Sequence, residues 1–319
     1  MPESHAGQSR LMRQGHQIAL WDDALRTWPT AFARSALFRV AGKGERKTLN
    51  GEIAAGDGIR IKYRGEELRT DDEEVLMLLL HRLRGRDWKK PEDLVVEITR
   101  HEMLRELDRH SDGRYYAELT ASLDRMSTGG LVVSYRGANG KLYRMTQTVI
   151  RKWAYAIDLP EHKGRADARI KIWLEPEVLQ FFADGAETER FSLVWQERAS
   201  LSRPLAKWLH SHLHALGYGS SDHVVCRVDV IWKLSGSEAS TLKSFKTILQ
   251  RTLKEMHEAG VIGRSMFRQD LLCVTRPGTD AGFTWDRASI APSELGFPML
   301  ELSEQQLDFG AVDHEEDPL

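Results

Sequence analysis

The chain has 319 residues, of which 41% are hydrophobic and 29% charged, with a formal net charge of −2. This is enough apolar material for more than one core, so two domains are expected. The near-neutral total lacks the strong basicity of many small nucleic-acid-binding proteins, and two cysteines 47 apart, Cys226 and Cys273, exclude a disulfide framework or a CxxC knuckle. The total hides an asymmetry. From Glu301 onward there are seven carboxylates and no Lys or Arg, which leaves 45 basic against 40 acidic residues in the first 300. The polar N-terminus lacks a signal-peptide core, and the longest apolar run, residues 75–80, is too short to cross a bilayer. A reducing, cytoplasmic setting is expected.

In chain order, residues 1–16 read as a disordered leader. Residues 18–40 carry apolar side chains at helical spacing, interrupted at Pro29, and Gly42 to Lys47 forms a loop. Residues 48–68 are strand-like, with Ile59-Arg60-Ile61-Lys62-Tyr63 alternating as a half-exposed strand does. Thr70-Asp71-Asp72-Glu73 has the form of a capping box and opens a helix to about residue 84 with an apolar centre. A strand at 95–98 then leads through Thr99 into a short helix, and after Ser111-Asp112-Gly113 comes a second helix, about 114–126, ended by Gly129 and Gly130. Two strands flank Gly137-Ala138-Asn139-Gly140, whose Asn-Gly favours a tight hairpin. Strands at 149–157 and 169–174 follow.

The second half repeats this order. A helix from Pro204 to about 216 precedes a strand at 224–228, a short helix at 229–234, a Ser-Gly-Ser turn, a long helix at about 238–259 and strands at 261–267 and 271–275. The order implies an α+β fold of two tandem winged-helix domains, at 70–185 and 186–277, with an N-terminal extension at 1–69 and an acidic disordered tail at 278–319.

The long helices are the candidate recognition elements. On the first, Arg114 and Arg125 oppose the apolar stripe and Ser122 lies at its edge. On the second, Lys243, Thr247, Gln250 and Lys254 share a face opposite Phe245, Leu249, Leu253 and Met256. Lys and Arg suit phosphates or guanine, Gln suits adenine and Thr suits a base methyl. A plain solvated face has the same composition. The flanking hairpins favour the DNA reading: residues 131–174 hold nine basic against three acidic residues, and residues 203–268 ten against five. Arg136, Lys141 and Arg144 on the first wing, and Arg264 and Arg268 on the second, are expected to touch flanking phosphates.

Catalytic readings fare worse. Ala41 and Arg46 occupy the obligatory glycine positions of a phosphate loop, although Lys47-Thr48 matches its end. His212-Leu213-His214 matches the His-apolar-His of rolling-circle nickases, but its surroundings have helical spacing, so only His210 and His214 could share an ion and an ordinary helix surface is favoured. Tyr115 and Tyr116 are candidate nucleophiles, but Tyr115 belongs to the core stripe. No enzyme activity, cofactor or metal is expected.

Several blocks together carry a family resemblance. They are Trp21-Asp22-Asp23-Ala24, Arg34-Ser35-Ala36-Leu37-Phe38, Gly42-Lys43-Gly44-Glu45-Arg46, Ile61-Lys62-Tyr63-Arg64-Gly65-Glu66-Glu67-Leu68, Pro204-Leu205-Ala206-Lys207-Trp208-Leu209-His210 and Leu234-Ser235-Gly236-Ser237-Glu238-Ala239. In this order they resemble the TrfA-type plasmid replication initiators. The resemblance implies binding to repeated duplex origin sites (iterons), opening of adjacent AT-rich DNA, recruitment of a host initiator and replicative helicase, association with plasmid or nucleoid, and a homodimer in equilibrium with monomer. A winged-helix transcriptional repressor is the alternative within the DNA-binding class, and a metal-dependent nickase the alternative enzyme. Beyond the matched part, Glu304-Gln305-Gln306-Leu307-Asp308-Phe309 resembles peptides that dock on the bacterial sliding clamp, with Leu307 and Phe309 as apolar anchors. An idle solvated tail is the other reading of that segment.

Overall fold

The computed structural model describes residues 18–279, apart from 19, 43, 57, 88, 91, 93, 137–141, 156–168 and 183–188. The expected leader and acidic tail lie outside the described residues. Strand β1 (Leu25–Pro29), a single turn α1 (Thr30–Ala33) and a short strand β2 (Phe38–Arg39) stand where spacing predicts a helix over 18–40. The cause is non-local. β1 pairs antiparallel with Arg190–Val194, Thr27 Oγ1 lying 3.1 Å from Ser192 Oγ across the ladder, and this tertiary partner overrides the local pattern.

The hairpin β3 (Thr48–Ile53) and β4 (Ile59–Glu66) precedes β5 (Leu68–Arg69), which pairs in parallel with β2, and α2 (Thr70–Leu83). The Asp72 carboxylate accepts from the Arg69 amide at 2.8 Å, so the cap falls one residue before the Thr70 predicted by the capping-box pattern. Next come β6 (Val95–Thr99), α3 (Arg100–Glu106) and α4 (Gly113–Thr128). Thr99 and Glu102 form a reciprocal capping box, and the Asp112 side chain accepts from the amide of Tyr115. The chain continues through β7 (Gly130–Arg136), β8 (Leu142–Gln147), β9 (Ile150–Tyr155), β10 (Arg169–Leu174), α5 (Pro176–Leu179), a 3₁₀ turn (Gln180–Phe182) and β11 (Arg190–Val194). The second half holds α6 (Trp195–Ala199), α7 (Pro204–Ala215), β12 (His223–Arg227), α8 (Val228–Ser235), α9 (Leu242–Glu258), β13 (Ser265–Arg268) and β14 (Leu271–Thr275).

The molecule is therefore a mixed α/β fold with an internal structural repeat. The sheets β6-β10-β9 and β12-β14-β13 have the same antiparallel order, each following a helix, a strand, a short helix and a long helix. One hairpin departs from the expected plan. β7 and β8 do not join β6; they extend β3 and β4 into the sheet β3-β4-β7-β8. The alternation explains this: Leu131 and Val133 of β7 lie opposite Tyr63 and Ile61 of β4, so all four side chains point into one core. The hairpin carrying Arg136 and Arg144 is thus distinct from β9–β10, the counterpart of β13–β14.

Among the described residues two hydrophobic clusters result, one from Ile18 to Leu193 and one from Leu201 to Val274. Polar contacts join them. Arg198, 0% exposed, donates to Glu73 of α2 at 2.6 Å, to the Lys207 carbonyl and to Ser211 Oγ. Lys207 and Arg109 reach Glu74 at 2.6 and 2.8 Å. Burial lifts the Glu73 carboxyl above its usual value against the pull of Arg198. At Glu74 burial acts the same way, but Lys207, Arg198 and Arg109 outweigh it and hold the group below its usual value. Among the described residues no helix is long and apolar enough to cross a membrane.

Removing Arg198 would leave Glu73 buried without its partner, so Arg198→Ala should cost roughly 3–5 kcal/mol in urea unfolding. His81 gives a second expectation. Trp21 Nε1 donates to its Nδ1 at 3.0 Å, and burial together with Arg26 and Arg84 brings the ring to a pKa of about 4. The unfolded chain protonates His81 near pH 6.5, earlier than the folded chain does. Stability should fall as pH drops from about 6.5 towards 4, at up to about 1.4 kcal/mol per pH unit for this one proton. Denaturation at several pH values should show a shallower slope for His81→Gln than for the parent chain.

Candidate nucleic-acid interface

The second long helix carries the expected exposed face. Thr241 caps it, its Oγ1 accepting from the Ser244 amide at 3.1 Å, and Phe245, Leu249, Leu253 and Met256 are buried in the second core. Burying this stripe orients the helix, so Lys243, Thr247, Gln250 and Lys254 are all exposed on the opposite side. The Thr247 hydroxyl donates back to the Lys243 carbonyl at 3.3 Å. Lys254 approaches Glu258 at 3.7 Å, with both side chains mostly exposed, and such a pair holds the ammonium only weakly. Two neighbours missing from the sequence reading join the surface: Arg251, exposed, and Ile248, 39% exposed at the edge of the face. Their signal was available, since neither belongs to the core stripe. Arg264 and Arg268 are exposed on the adjoining β13–β14 hairpin.

The first long helix differs: Arg125 and Ser122, expected as DNA contacts, are buried. Arg125 is 8% exposed and donates to Asp72 at 2.8 Å and to Glu66 at 3.4 Å. Ser122 is 3% exposed. Both face inward because α4 is covered twice, on one side by the core and on another by the acidic first turn of α2. Releasing one phosphate counterion returns on the order of 1 kcal/mol at physiological salt. That is no more than the roughly 1–3 kcal/mol cost of withdrawing one of the two guanidinium groups that pair with buried Asp72, so Arg125 stays in the protein. Arg114 is exposed but paired with Glu118 at 2.9 Å. The cleft beside it, about 580 Å³, is lined by Arg46, Arg69, Arg109, Arg114, Arg125 and Lys207. Each of these cations has a carboxylate partner, so the cleft is not an anion site.

Arg144 is exposed on β8, opposite Ser134 of β7. Strand alternation sets Arg60, Lys62 and Arg64 of β4 on that same outer face, a basic group that the sequence reading left unassigned. The alternation of Ile59 to Tyr63 held the signal, because every outward position in it is basic. Arg136 lies at the end of β7, whereas Lys141, Leu307 and Phe309 lie outside the described residues.

The three histidines sit on a helix, as expected, but His210 and His212 are buried and His214 is half-buried. His212 is buried, stacks on Trp208 at 4.6 Å and has Nδ1 3.0 Å from the Ala33 carbonyl. Burial lowers its pKa to about 4. It faces away from His214, so the nickase pattern His212 and His214 is not assembled. Tyr116 OH lies 3.4 Å from His101 Nδ1, and Tyr115 packs against the first core.

A family model described as TrfA protein matches residues 8–276. The plasmid replication initiator protein TrfA of Escherichia coli is 21% identical over 258 residues, which cover 80% of this chain and 63% of that protein. The chain thus spans under two thirds of the length of this curated relative. A crystal structure of domains 2 and 3 of RctB is similar in fold, with a TM-score of 0.51 at 14% identity, covering 78% of this chain and 99% of that one.

The geometry separates two arginines of one helix. Arg125→Ala should lower the urea midpoint, costing about 1–3 kcal/mol because Asp72 keeps Arg46, whereas Arg114→Ala should stay within about 0.5 kcal/mol. Equal midpoints for the two variants would show that Arg125 is not a structural residue.

Proposed function

This chain belongs to the TrfA family, and on that premise we propose that it initiates plasmid replication by binding repeated sites in duplex origin DNA. The observation that carries the reading furthest is the exposed α9 face, where Lys243, Thr247, Gln250 and Lys254 offer donors and a methyl of the kind a major groove accepts. We read each half as a winged helix. In the second, α9 is the recognition helix and β13–β14 the wing. In the first, the positions of helix and wing fall to α4 and β9–β10, with β7–β8 as an addition to the N-terminal sheet.

The domain division that goes with this reading is 70–185 and 186–277, with the N-terminal segment packing on both, through Trp28, Phe32 and Phe38 in the first core and through Ser35 to Trp208 and Val40 to Ser235 on the second. The second domain supplies base contacts through α9 and phosphate contacts through Arg264 and Arg268. The first supplies mainly phosphate contacts, since Arg125 and Ser122 are turned inward and only Arg114 of its long helix remains outside. Opening of the origin requires no hydrolysis in this scheme. Binding energy offsets unstacking, which costs a few kcal/mol per step and least at flexible AT-rich steps. Recruitment of a host initiator and helicase, and a dimer that yields to monomer, complete the proposal by family likeness.

Footprinting on the DNA that flanks its own gene should show protected repeats. Gln250→Ala should then relax discrimination at one base pair by about 1–3 kcal/mol, while Lys254→Ala should weaken all sequences alike and lower the salt slope by about one unit. Wild-type affinity and salt dependence in both variants would remove α9 from the interface.

A further inference from the structure

We infer that Glu197, His210 and His214 form a Zn²⁺ site that clips α6 to α7. His210 and His214 are four residues apart on α7, so both rings leave one side of the helix, and Glu197 comes from α6. One donor atom from each lies within 4.8 Å of the other two, and among the described residues no other trio of His, Cys, Asp or Glu comes together in this way. His210 Nε2 is 3.2 Å from Glu197 Oε2.

Unused ring nitrogens supply the second observation. His210 is 1% exposed, and its Nδ1 and the Nε2 of His214 are both buried without a hydrogen-bond partner. Buried polar atoms are almost always satisfied, so the orphan Nε2 of His214 calls for an explanation, while His210 meets Glu197 through its other nitrogen, Nε2. The rings are also held in place: His214 packs edge-on to His210 at 4.8 Å and to Tyr218 at 5.6 Å, and stacks on Phe191 at 6.1 Å.

The donor set selects the ion. Two imidazoles and a carboxylate suit Zn²⁺, whereas Mg²⁺ and Ca²⁺ prefer oxygen alone. Metal–ligand bonds of about 2.0–2.2 Å would draw the donors together by about 1 Å, and the half-exposed Glu197 leaves room for water as the fourth ligand. The site lies where the first core ends at Leu193 and the second begins at Leu201, beside Arg198, which joins the two. An ion there would stiffen that joint. The inference is independent of the DNA-binding reading.

The test uses the full chain, stripped with chelator and titrated with Zn²⁺ by calorimetry and with Co²⁺ by visible absorption. The expected result is one ion per chain, the intense absorption of four-coordinate Co²⁺, and a Tm that rises with Zn²⁺. Glu197→Gln should weaken binding by about tenfold or more and His214→Ala should abolish it, while His257→Ala on α9 leaves it unchanged. Failure to bind one ion per chain would overturn the inference, as would binding that Glu197→Gln and His214→Ala leave intact. If His214→Ala does not fold, the partly exposed Glu197→Gln decides the matter alone.

Discussion

The two halves of the molecule are registered on the first turn of α2, where Asp72, Glu73 and Glu74 are buried in succession. Each buried carboxylate costs several kcal/mol in lost hydration, which the helix N-terminus only partly offsets. Partners therefore come from every side: Arg46 and Arg125 on Asp72, Arg198 on Glu73, and Arg109 and Lys207 on Glu74. Such clusters add little net stability over an apolar equivalent, but a misplaced partner is expensive. They act as a selector, favouring the one arrangement of the two cores in which all the charges meet.

How much of this was legible in sequence depends on the range of the interaction. Thr99, Asp112 and Gly129 bracket α3 and α4 with side chains and backbone a few residues away, and the helix ends there follow the local signals closely. Alternation likewise exposed β4 and the strands of the second half. The misread segments are those whose partners are distant. Residues 25–29 look helical until β11 pairs with them, and β7–β8 looks like an appendage of α4 until β4 claims its inward residues. A single helical or strand period has no means of announcing either pairing.

The candidate interface divides along the same line. α9 has one buried stripe, so its polar face follows once Phe245, Leu249, Leu253 and Met256 are recognised as core. α4 has two covered sides. Its apolar stripe was readable, but the second contact is polar, Arg125 meeting Asp72, and a basic residue bound for a buried carboxylate is written with the same letter as one bound for phosphate. The acidic run from Asp71 to Glu74 was the available signal. A helix that starts with four carboxylates amid apolar sequence demands cations, and the nearest arginines in space are then spoken for.

Under the proposed function the two copies of the structural repeat are unequal. α4 and α9 occupy equivalent positions, each between a short helix and an antiparallel hairpin, yet one directs the arginine of its last turn onto buried Asp72 of α2 and the other keeps Lys243, Arg251 and Lys254 exposed. The charge available to a duplicated fold can serve cohesion or recognition, and one guanidinium cannot serve both, since taking Arg125 from buried Asp72 costs at least what a phosphate contact returns, even with Arg46 left in place. The half holding the acidic turn therefore uses its arginines for cohesion, and under the proposed function recognition of a long, polyanionic partner falls to the half with the simpler amphipathic helix.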